Sequence, residues 1–140
     1  MNEKYKKSTL AAYSENTQTL QEGEAVVFND SYITGCSIRF INGGTSAEIV
    51  NAGLYLVSFN GYTEERGQSL SQLRLLRDDE EVAGAMVRED SRDASVSFTT
   101  VIEVLPNQCP YKPLKSELKV INQQEEVTYG LVNLTIIKIA

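Results

Sequence analysis

The residues best suited to bind a metal ion form one acidic run, Asp78-Asp79-Glu80-Glu81. Clustered carboxylate oxygens are the ligands that calcium prefers. A calcium loop spaces its ligands around a glycine, however, and this run has neither that spacing nor the glycine. We therefore interpret the run as a charged turn between two strands, and we expect the chain to hold no metal and no other cofactor.

Histidine is absent from the 140 residues. This absence excludes Ser–His and Cys–His nucleophilic catalysis and removes the commonest zinc ligand. Several carboxylates are present, but the sequence assigns no pair of them to hydrolysis. We therefore expect no catalytic residue, and we predict that the protein is not an enzyme.

The two cysteines lie in different settings. Cys36 shares one alternation of GCSIRFI with Ile38 and Phe40, which predicts a small buried thiol. Cys109 lies in a predicted loop, LPNQCPY. The sequence leaves open whether the two form a disulfide. Free thiols are favoured because nothing in the sequence indicates an oxidising compartment.

Two further features could serve binding or modification. Tyr62, Glu64, Glu65 and Arg66 follow a long predicted strand, and loops of this kind often carry binding residues, although nothing ranks this loop above the others. Asn133-Leu134-Thr135 matches the N-glycosylation sequon. Because the match lies inside a predicted strand, we interpret it as chance.

The charge of the chain is unevenly distributed. The net charge is −6, but residues 1–9 carry three lysines against one glutamate, which leaves −8 for the remainder. An acidic domain argues against general nucleic-acid binding, which needs cationic surface. No apolar run reaches membrane-spanning length, and the N-terminus lacks the apolar stretch of a signal peptide. We therefore expect neither a nucleic acid nor a membrane as partner.

Short segments rich in β-branched and aromatic residues follow one another along the chain, separated by turn residues. Asn42-Gly43-Gly44 is a strong hairpin signal. No segment shows sustained helical periodicity. The predicted strands are 10–13, 24–29, 36–41, 46–50, 53–61, 69–77, 81–88, 94–105, 116–122 and 131–139. So many short strands in one domain indicate an all-β sandwich or jelly roll.

Alternation within the longer strands separates a core face from a second face. The predicted core residues are Tyr55, Val57, Phe59, Leu73, Leu75, Phe98, Ile102, Val104, Leu118, Val120, Leu134 and Ile136. Two strands carry apolar residues on the second face as well. On the strand 53–61 this face begins Leu54, Leu56, Ser58, and on the strand 131–139 it is Asn133, Thr135, Ile137, Ile139. An apolar second face usually marks an interface.

These segments resemble a known family. GLYLVSF looks like the Gly-x-Tyr strand of the tumour necrosis factor superfamily and of the complement globular head, and NLTIIKI is similar to the closing strand of that group. LRLLRDDEEVAGA and SVSFTTVIEVLPNQCPYKPLKSELKVIN fit the strands between them in order. The resemblance covers about residues 10–140 and is strongest to bacterial and phage members, including the BclA-type C-terminal domains of spore-surface filaments. It implies a ten-stranded jelly roll that forms a homotrimer.

The resemblance also implies which residues face the threefold axis. Carried over by position, the trimer interface consists of Leu54, Leu56, Ser58, Ser97, Thr99, Thr135, Ile137 and Ile139. The family often has a bulky aromatic residue where this chain has Ser58, so the packing there should differ. Because a threefold interface is heterologous, one pair of patches closes the ring.

Residues 1–9 form a basic arm outside the jelly-roll domain of residues 10–140. The arm, with Lys4, Tyr5, Lys6 and Lys7, is either a disordered tail or a tether that orders on a partner. The leading hypothesis is a non-enzymatic trimeric virion protein of a bacteriophage, a head decoration or head-fibre protein that the arm anchors to a capsid or other virion protein. The alternative is a trimeric binding module of a bacterial cell or spore surface that recognises carbohydrate or protein through its loops. An enzyme is disfavoured because jelly-roll enzymes of the cupin kind gather histidines on a metal.

Overall fold

The computed structural model describes residues 7–64, 70–90, 94–107 and 112–140, which form strands and connecting loops. No helix in these ranges is long and apolar enough to cross a membrane. The strands are β1 (Thr9–Ser14), β2 (Gln18–Leu20), β3 (Asp30–Thr34), β4 (Ile38–Arg39), β5 (Ala47–Ile49), β6 (Gly53–Thr63), β7 (Ser71–Arg77), β8 (Glu80–Glu89), β9 (Ser95–Val104), β10 (Ser116–Asn122) and β11 (Val127–Lys138).

The strands form two antiparallel sheets. The first sheet has the order β3-β1-β11-β6-β9, with β2 also paired to β11, and the second has the order β4-β5-β10-β7-β8. Each sheet turns one face to the other and one face outward. This is the predicted all-β sandwich, and it places the long strands β6, β9 and β11 side by side in the first sheet.

The core lies between the two inner faces. Tyr55, Val57 and Phe59 of β6 are fully buried, as the alternation of that strand predicts. The Phe59 ring stacks on Phe98 with ring centroids 5.6 Å apart and meets the edge of Phe28 at 6.5 Å. The remaining predicted core residues are also buried, which confirms that prediction: Leu73, Leu75, Phe98, Ile102, Val104, Leu118, Val120, Leu134 and Ile136.

A buried polar pair closes one end of the core. Asn122 is fully buried, and its Nδ2 donates hydrogen bonds to the carbonyl oxygens of Leu20 at 3.1 Å and Gln124 at 2.8 Å. The Tyr129 hydroxyl donates to Asn122 Oδ1 at 3.4 Å. Burial raises the pKa of the Tyr129 phenol above its ordinary value. The pair connects β10 and β11 to the end of β2.

Three of the predicted strands depart clearly from the structure. The segment 24–29 is wrong as a strand: the Val26 N–H donates to Val120 at 2.8 Å and the Phe28 N–H to Gly44 at 3.0 Å, so its backbone bonds two different segments and builds no ladder. Of the segment 36–41, only the two residues of β4 are strand, and the last strand begins at Val127 rather than at residue 131. The other seven match within two residues at each end.

The prediction that Cys36 is buried is wrong. The thiol is free and exposed, whereas its neighbour Ser37 is buried and accepts a hydrogen bond from Asn51 at 3.0 Å. The alternation that placed Cys36 beside Ile38 needs a strand that includes residue 36, but β4 begins at Ile38, and the consecutive residues Ser37 and Ile38 are both buried. Cys109 lies outside the described residues.

Two short strands escaped the sequence analysis. β2 has three residues, and β3 is an edge strand in which no residue is buried, so neither carries the alternation that predicts a strand. The described residues therefore form eleven strands rather than ten.

Candidate self-association surface

The surface that could bind a second copy is the outward side of the first sheet, which we call the outer face. Because residues two apart on a strand share a face, Leu54 and Leu56 of β6 point outward when Tyr55 and Val57 point to the core. Pairing then adds residues from the flanking strands. All eight residues predicted for the trimer interface lie on this face, and their contact with another subunit stays a prediction.

The apolar part of the outer face lies near one end of the sheet. Leu56 is paired with Ile137 of β11 on one side and with Val101 of β9 on the other. Leu54 lies beside Ile139, whose N–H donates to the Leu54 carbonyl at 2.8 Å. These side chains are unusually open to water for their size: Leu54 is 36%, Ile139 41% and Val101 52% exposed. An exposed apolar patch built from three neighbouring strands is typical of an interaction surface.

The centre of the outer face is formed by small hydroxyl residues. Ser58 is paired with Thr135 and Thr99, and its Oγ lies 3.2 Å from Thr99 Oγ1. Ser97 follows on the same side of β9, opposite Asn60. Small side chains leave the sheet flat here, so another backbone can approach closely.

Charge is sparse on the central strands of the outer face. The outward residues of β1, β6, β9 and the paired part of β11 include a single charged side chain, Glu103 at the end of β9. On the edge strand β3, Asp30 is exposed and paired with Tyr13. The second sheet is different: its outer side carries the ion pairs Lys119–Asp79 at 3.1 Å and Arg74–Glu81 at 3.6 Å. In a chain with 23% charged residues, the sparse charge of these central strands matches the charge depletion of protein interfaces.

Three members of the outer face escaped the sequence analysis. Val101 was not among the predicted interface residues, although its position opposite Leu56 places it in the apolar patch. Tyr13 and Tyr32, on β1 and β3, are 38% and 56% exposed and extend the face toward the sheet edge. The Tyr13 position was visible in the alternation of β1, whereas Tyr32 lies on a strand that the pattern did not indicate.

The acidic run Asp78-Asp79-Glu80-Glu81 contains the predicted turn between β7 and β8: Asp78 and Asp79 form the turn, and Glu80 and Glu81 are the first residues of β8. Asp78 and Asp79 have φ values of 51° and 67°, the left-handed pair that a tight two-residue hairpin turn requires. The carboxylates have separate partners: Asp78 accepts the Glu117 N–H at 2.8 Å and Asp79 pairs with Lys119. Among the described residues, no three metal-ligating side chains are grouped.

The other predicted binding residues lie partly outside the described ranges. Of the arm, Lys4, Tyr5 and Lys6 are outside, and Lys7 is exposed, with its carbonyl accepting the Thr34 hydroxyl at 2.9 Å. Of the loop after β6, Tyr62 and Glu64 are described, whereas Glu65 and Arg66 are not. Tyr62 is 41% exposed and lies at the end of the outer face opposite Leu54.

No protein-family model and no curated protein sequence matches the chain. Solved structures do match over almost its whole length. The globular domain of zebrafish complement 1qA has a TM-score of 0.70 at 17% identity, covering 96% of this chain and 98% of that one. Murine APRIL has a TM-score of 0.70 at 12% identity, with 96% and 100% covered. PRD1 vertex protein P5 has a TM-score of 0.63 at 11% identity, with 95% and 97% covered.

At these identities the similarity establishes the fold. The chain has the jelly-roll fold of tumour necrosis factor-like proteins and of the complement globular head, as the sequence resemblance implied.

Proposed function

We propose that the protein is a non-enzymatic homotrimer that acts as a structural protein of a bacteriophage virion, as a head decoration or a head-fibre or appendage protein. Its subunits associate through the outer face of the first sheet. Its basic N-terminal arm, with Lys4, Tyr5, Lys6 and Lys7, anchors it to a capsid or other virion protein.

The observation that best supports self-association is the apolar patch on the sparsely charged central strands of the outer face. Leu54, Leu56, Ile137 and Ile139 form an apolar patch whose exposure in a single chain costs hydrophobic free energy, about 25 cal/mol for each Å² left in water. Among the outward residues of β1, β6, β9 and the paired part of β11, Glu103 is the single charge, so covering these strands would bury almost no charged group without a partner. The proposed number of subunits, three, comes from the family resemblance, because the working unit of that family is a homotrimer.

The virion role is supported by the similarity to PRD1 vertex protein P5. That protein is described as a vertex protein, and this chain shares its fold over 95% of its residues. A trimer would suit threefold or quasi-threefold positions of a virion by symmetry. The chain offers no histidine for catalysis, and the described residues group no metal ligands, which leaves structural binding as the function best matched to the fold.

Two measurements test the proposal. Light scattering after size exclusion should give three times the chain mass of 15.5 kDa. A mass of one or two chains would refute the trimer. Mass spectrometry of purified particles from cells that encode the chain should then detect it in a copy number divisible by three. Particles that lack the chain would refute the virion role even if the trimer forms.

One observation favours the alternative, a binding module of a bacterial cell or spore surface. A groove of about 340 Å³ lies at the polar end of the outer face, bordered by Asn60, Tyr62, Ser95 and Asn133, and none of the described residues that line it is charged. Amide and hydroxyl groups beside an aromatic ring are the chemistry that binds uncharged sugars, through hydrogen bonds and ring stacking. This function would be favoured if the protein binds oligosaccharides, if Tyr62→Ala abolishes that binding, and if the protein is absent from purified particles.

A further inference from the structure

The hairpin that joins β4 to β5 carries a groove of about 400 Å³ on the second sheet, which we call the hairpin groove. Arg39 of β4 and Glu48 of β5 line it and are paired directly opposite each other. Both point outward from the sheet, because the neighbouring Ile38 and Ile49 are buried in the core. The hairpin groove is therefore separate from the outer face of the first sheet. The other lining residues come from the turn and its flanks: Phe40, Ile41, Gly44, Thr45 and Ser46.

Backbone hydrogen bonds hold the turn of this hairpin in place. The Gly43 N–H donates to the Phe28 carbonyl at 2.8 Å, and the Phe28 N–H donates to the Gly44 carbonyl at 3.0 Å. Phe28 is itself fully buried, so these bonds attach the turn to the core. The Gly44 N–H closes the turn on the Ile41 carbonyl at 2.9 Å. The groove is therefore formed before any ligand binds, which lowers the entropic cost of binding.

One side of the hairpin groove is apolar. Phe40 is partly buried and meets Phe28 edge to face with ring centroids 6.2 Å apart, so the core holds its ring in one orientation. Ile41, the next residue, is 83% exposed. Water therefore reaches an apolar surface here, and a ligand that covered this surface would gain hydrophobic free energy.

The polar side chains of the hairpin groove have unused hydrogen-bonding capacity. Glu48 is held by Lys115, whose Nζ lies 2.9 Å from Glu48 Oε2, and its carboxylate can accept further bonds. Arg39 lies opposite Glu48, yet its guanidinium makes no ion pair or hydrogen bond with any residue that the structure describes. Within the same described ranges, the hydroxyls of Thr45 and Ser46 have no hydrogen-bond partner either. Donors and acceptors are therefore available side by side to a ligand.

We infer that the hairpin groove binds a neutral saccharide. An anionic ligand would meet the Glu48 carboxylate, and a cationic ligand would meet the Arg39 guanidinium. A hydroxyl group avoids both conflicts, because it accepts a hydrogen bond from a guanidinium and donates one to a carboxylate. Adjacent hydroxyls of one sugar ring bond Arg39 and Glu48, while the apolar C–H face of the ring covers Phe40. The volume of about 400 Å³ lies within the range of small-ligand sites.

Saturation-transfer difference NMR on the purified wild-type protein tests this site with the methyl glycosides of glucose, galactose and mannose at millimolar concentration. At least one of them should bind, and its uronic acid counterpart should bind more weakly because its carboxylate meets Glu48. Arg39→Met and Glu48→Leu should each weaken binding by at least about tenfold, since each removes a charged hydrogen-bonding group. Arg88→Met is the matched control, because Arg88 is also an exposed arginine on a strand of the second sheet but does not line the groove. It should bind like the wild type, and circular dichroism should show that every variant is folded.

The contrary results can be told apart. If none of the neutral glycosides binds, the assignment is overturned. If the uronic acid binds more tightly and Arg39→Met abolishes that binding, the groove is a carboxylate site and not a site for neutral sugars. If both groove variants still bind but Tyr62→Ala does not, the sugar lies in the groove beside Asn60, and the hairpin groove is again excluded. None of these results bears on the proposed trimer or virion role, which the mass and particle measurements test.

Discussion

Leu56→Asp tests the proposed subunit interface most directly. Leu56 lies in the middle of the apolar patch between Ile137 and Val101, and in a single chain its side chain is already half-buried. In the proposed trimer a neighbouring subunit would cover the rest. The substitution therefore puts a carboxylate at a position from which assembly would remove water.

The magnitude follows from the ways in which the variant trimer could tolerate the carboxylate. Desolvating an unpaired carboxylate costs several kcal/mol. Protonating it instead, at pH 7 and from an ordinary pKa near 3.9, costs about 4 kcal/mol. Taking about 4 kcal/mol per chain gives about 12 kcal/mol for three chains, or roughly nine orders of magnitude in the dissociation constant of the trimer. We therefore expect a monomer at any practical concentration.

Light scattering after size exclusion measures the result, with circular dichroism to verify that the variant is folded. Folding should survive because the side chain is partly exposed in the single chain, although an aspartate in a strand costs about 1 kcal/mol. Met86→Asp is the control: Met86 is a large apolar residue on β8 of the second sheet, 37% exposed and outside the proposed interface, so its aspartate variant should remain trimeric. A folded Leu56→Asp variant that remains trimeric would refute the assignment of this face.

Three further predictions concern the stability of the single domain. Gly35→Ala should lower the free energy of unfolding in urea by at least about 1 kcal/mol more than Gly43→Ala does. Both glycines have a positive φ, but only at Gly35 would the added Cβ collide with a neighbour, 2.7 Å from the Cα of Ser8. Equal losses of stability would contradict this reasoning. Asn122→Ala should cost about 2–4 kcal/mol by leaving buried carbonyls without donors, and an unchanged urea midpoint would disprove it. Burial raises the pKa of Tyr129 above its unfolded value, so the folded state keeps a proton that the unfolded state loses, and stability should fall as pH rises above about 10. Tyr129→Phe should flatten that decline, and an unaltered pH dependence of unfolding would refute the coupling.

The long strands could be predicted because their side chains report burial locally. Tyr55, Val57 and Phe59 alternate with outward residues, and that period of two follows from the pleat of a single strand. The same alternation displayed Leu54 and Leu56 as a second apolar face before any neighbouring strand was known. The core and the central part of the candidate surface were therefore present in the sequence.

Where burial did not follow the pleat, the sequence was misleading. Val26 and Phe28 are fully buried, yet the backbone of their segment bonds two different partners and belongs to no strand. The strand β3 has no buried residue, so its pairing with β1 left no pattern to detect. Cys36 was placed by an alternation that does not reach it, because the strand β4 begins only at Ile38.

The sequence alone determined the all-β class, the core face of each long strand and the absence of histidine chemistry, because composition and a period of two are local properties. Only the tertiary structure decided which strands, and which of their residues, lie next to each other. Leu56 lies between Ile137 and Val101 because backbone hydrogen bonds between distant strands fix the register, and no window of sequence contains that pairing. The tertiary structure also brought Phe28 to the turn of the β4–β5 hairpin and Lys115 to Glu48, since only the folded chain places these distant segments side by side.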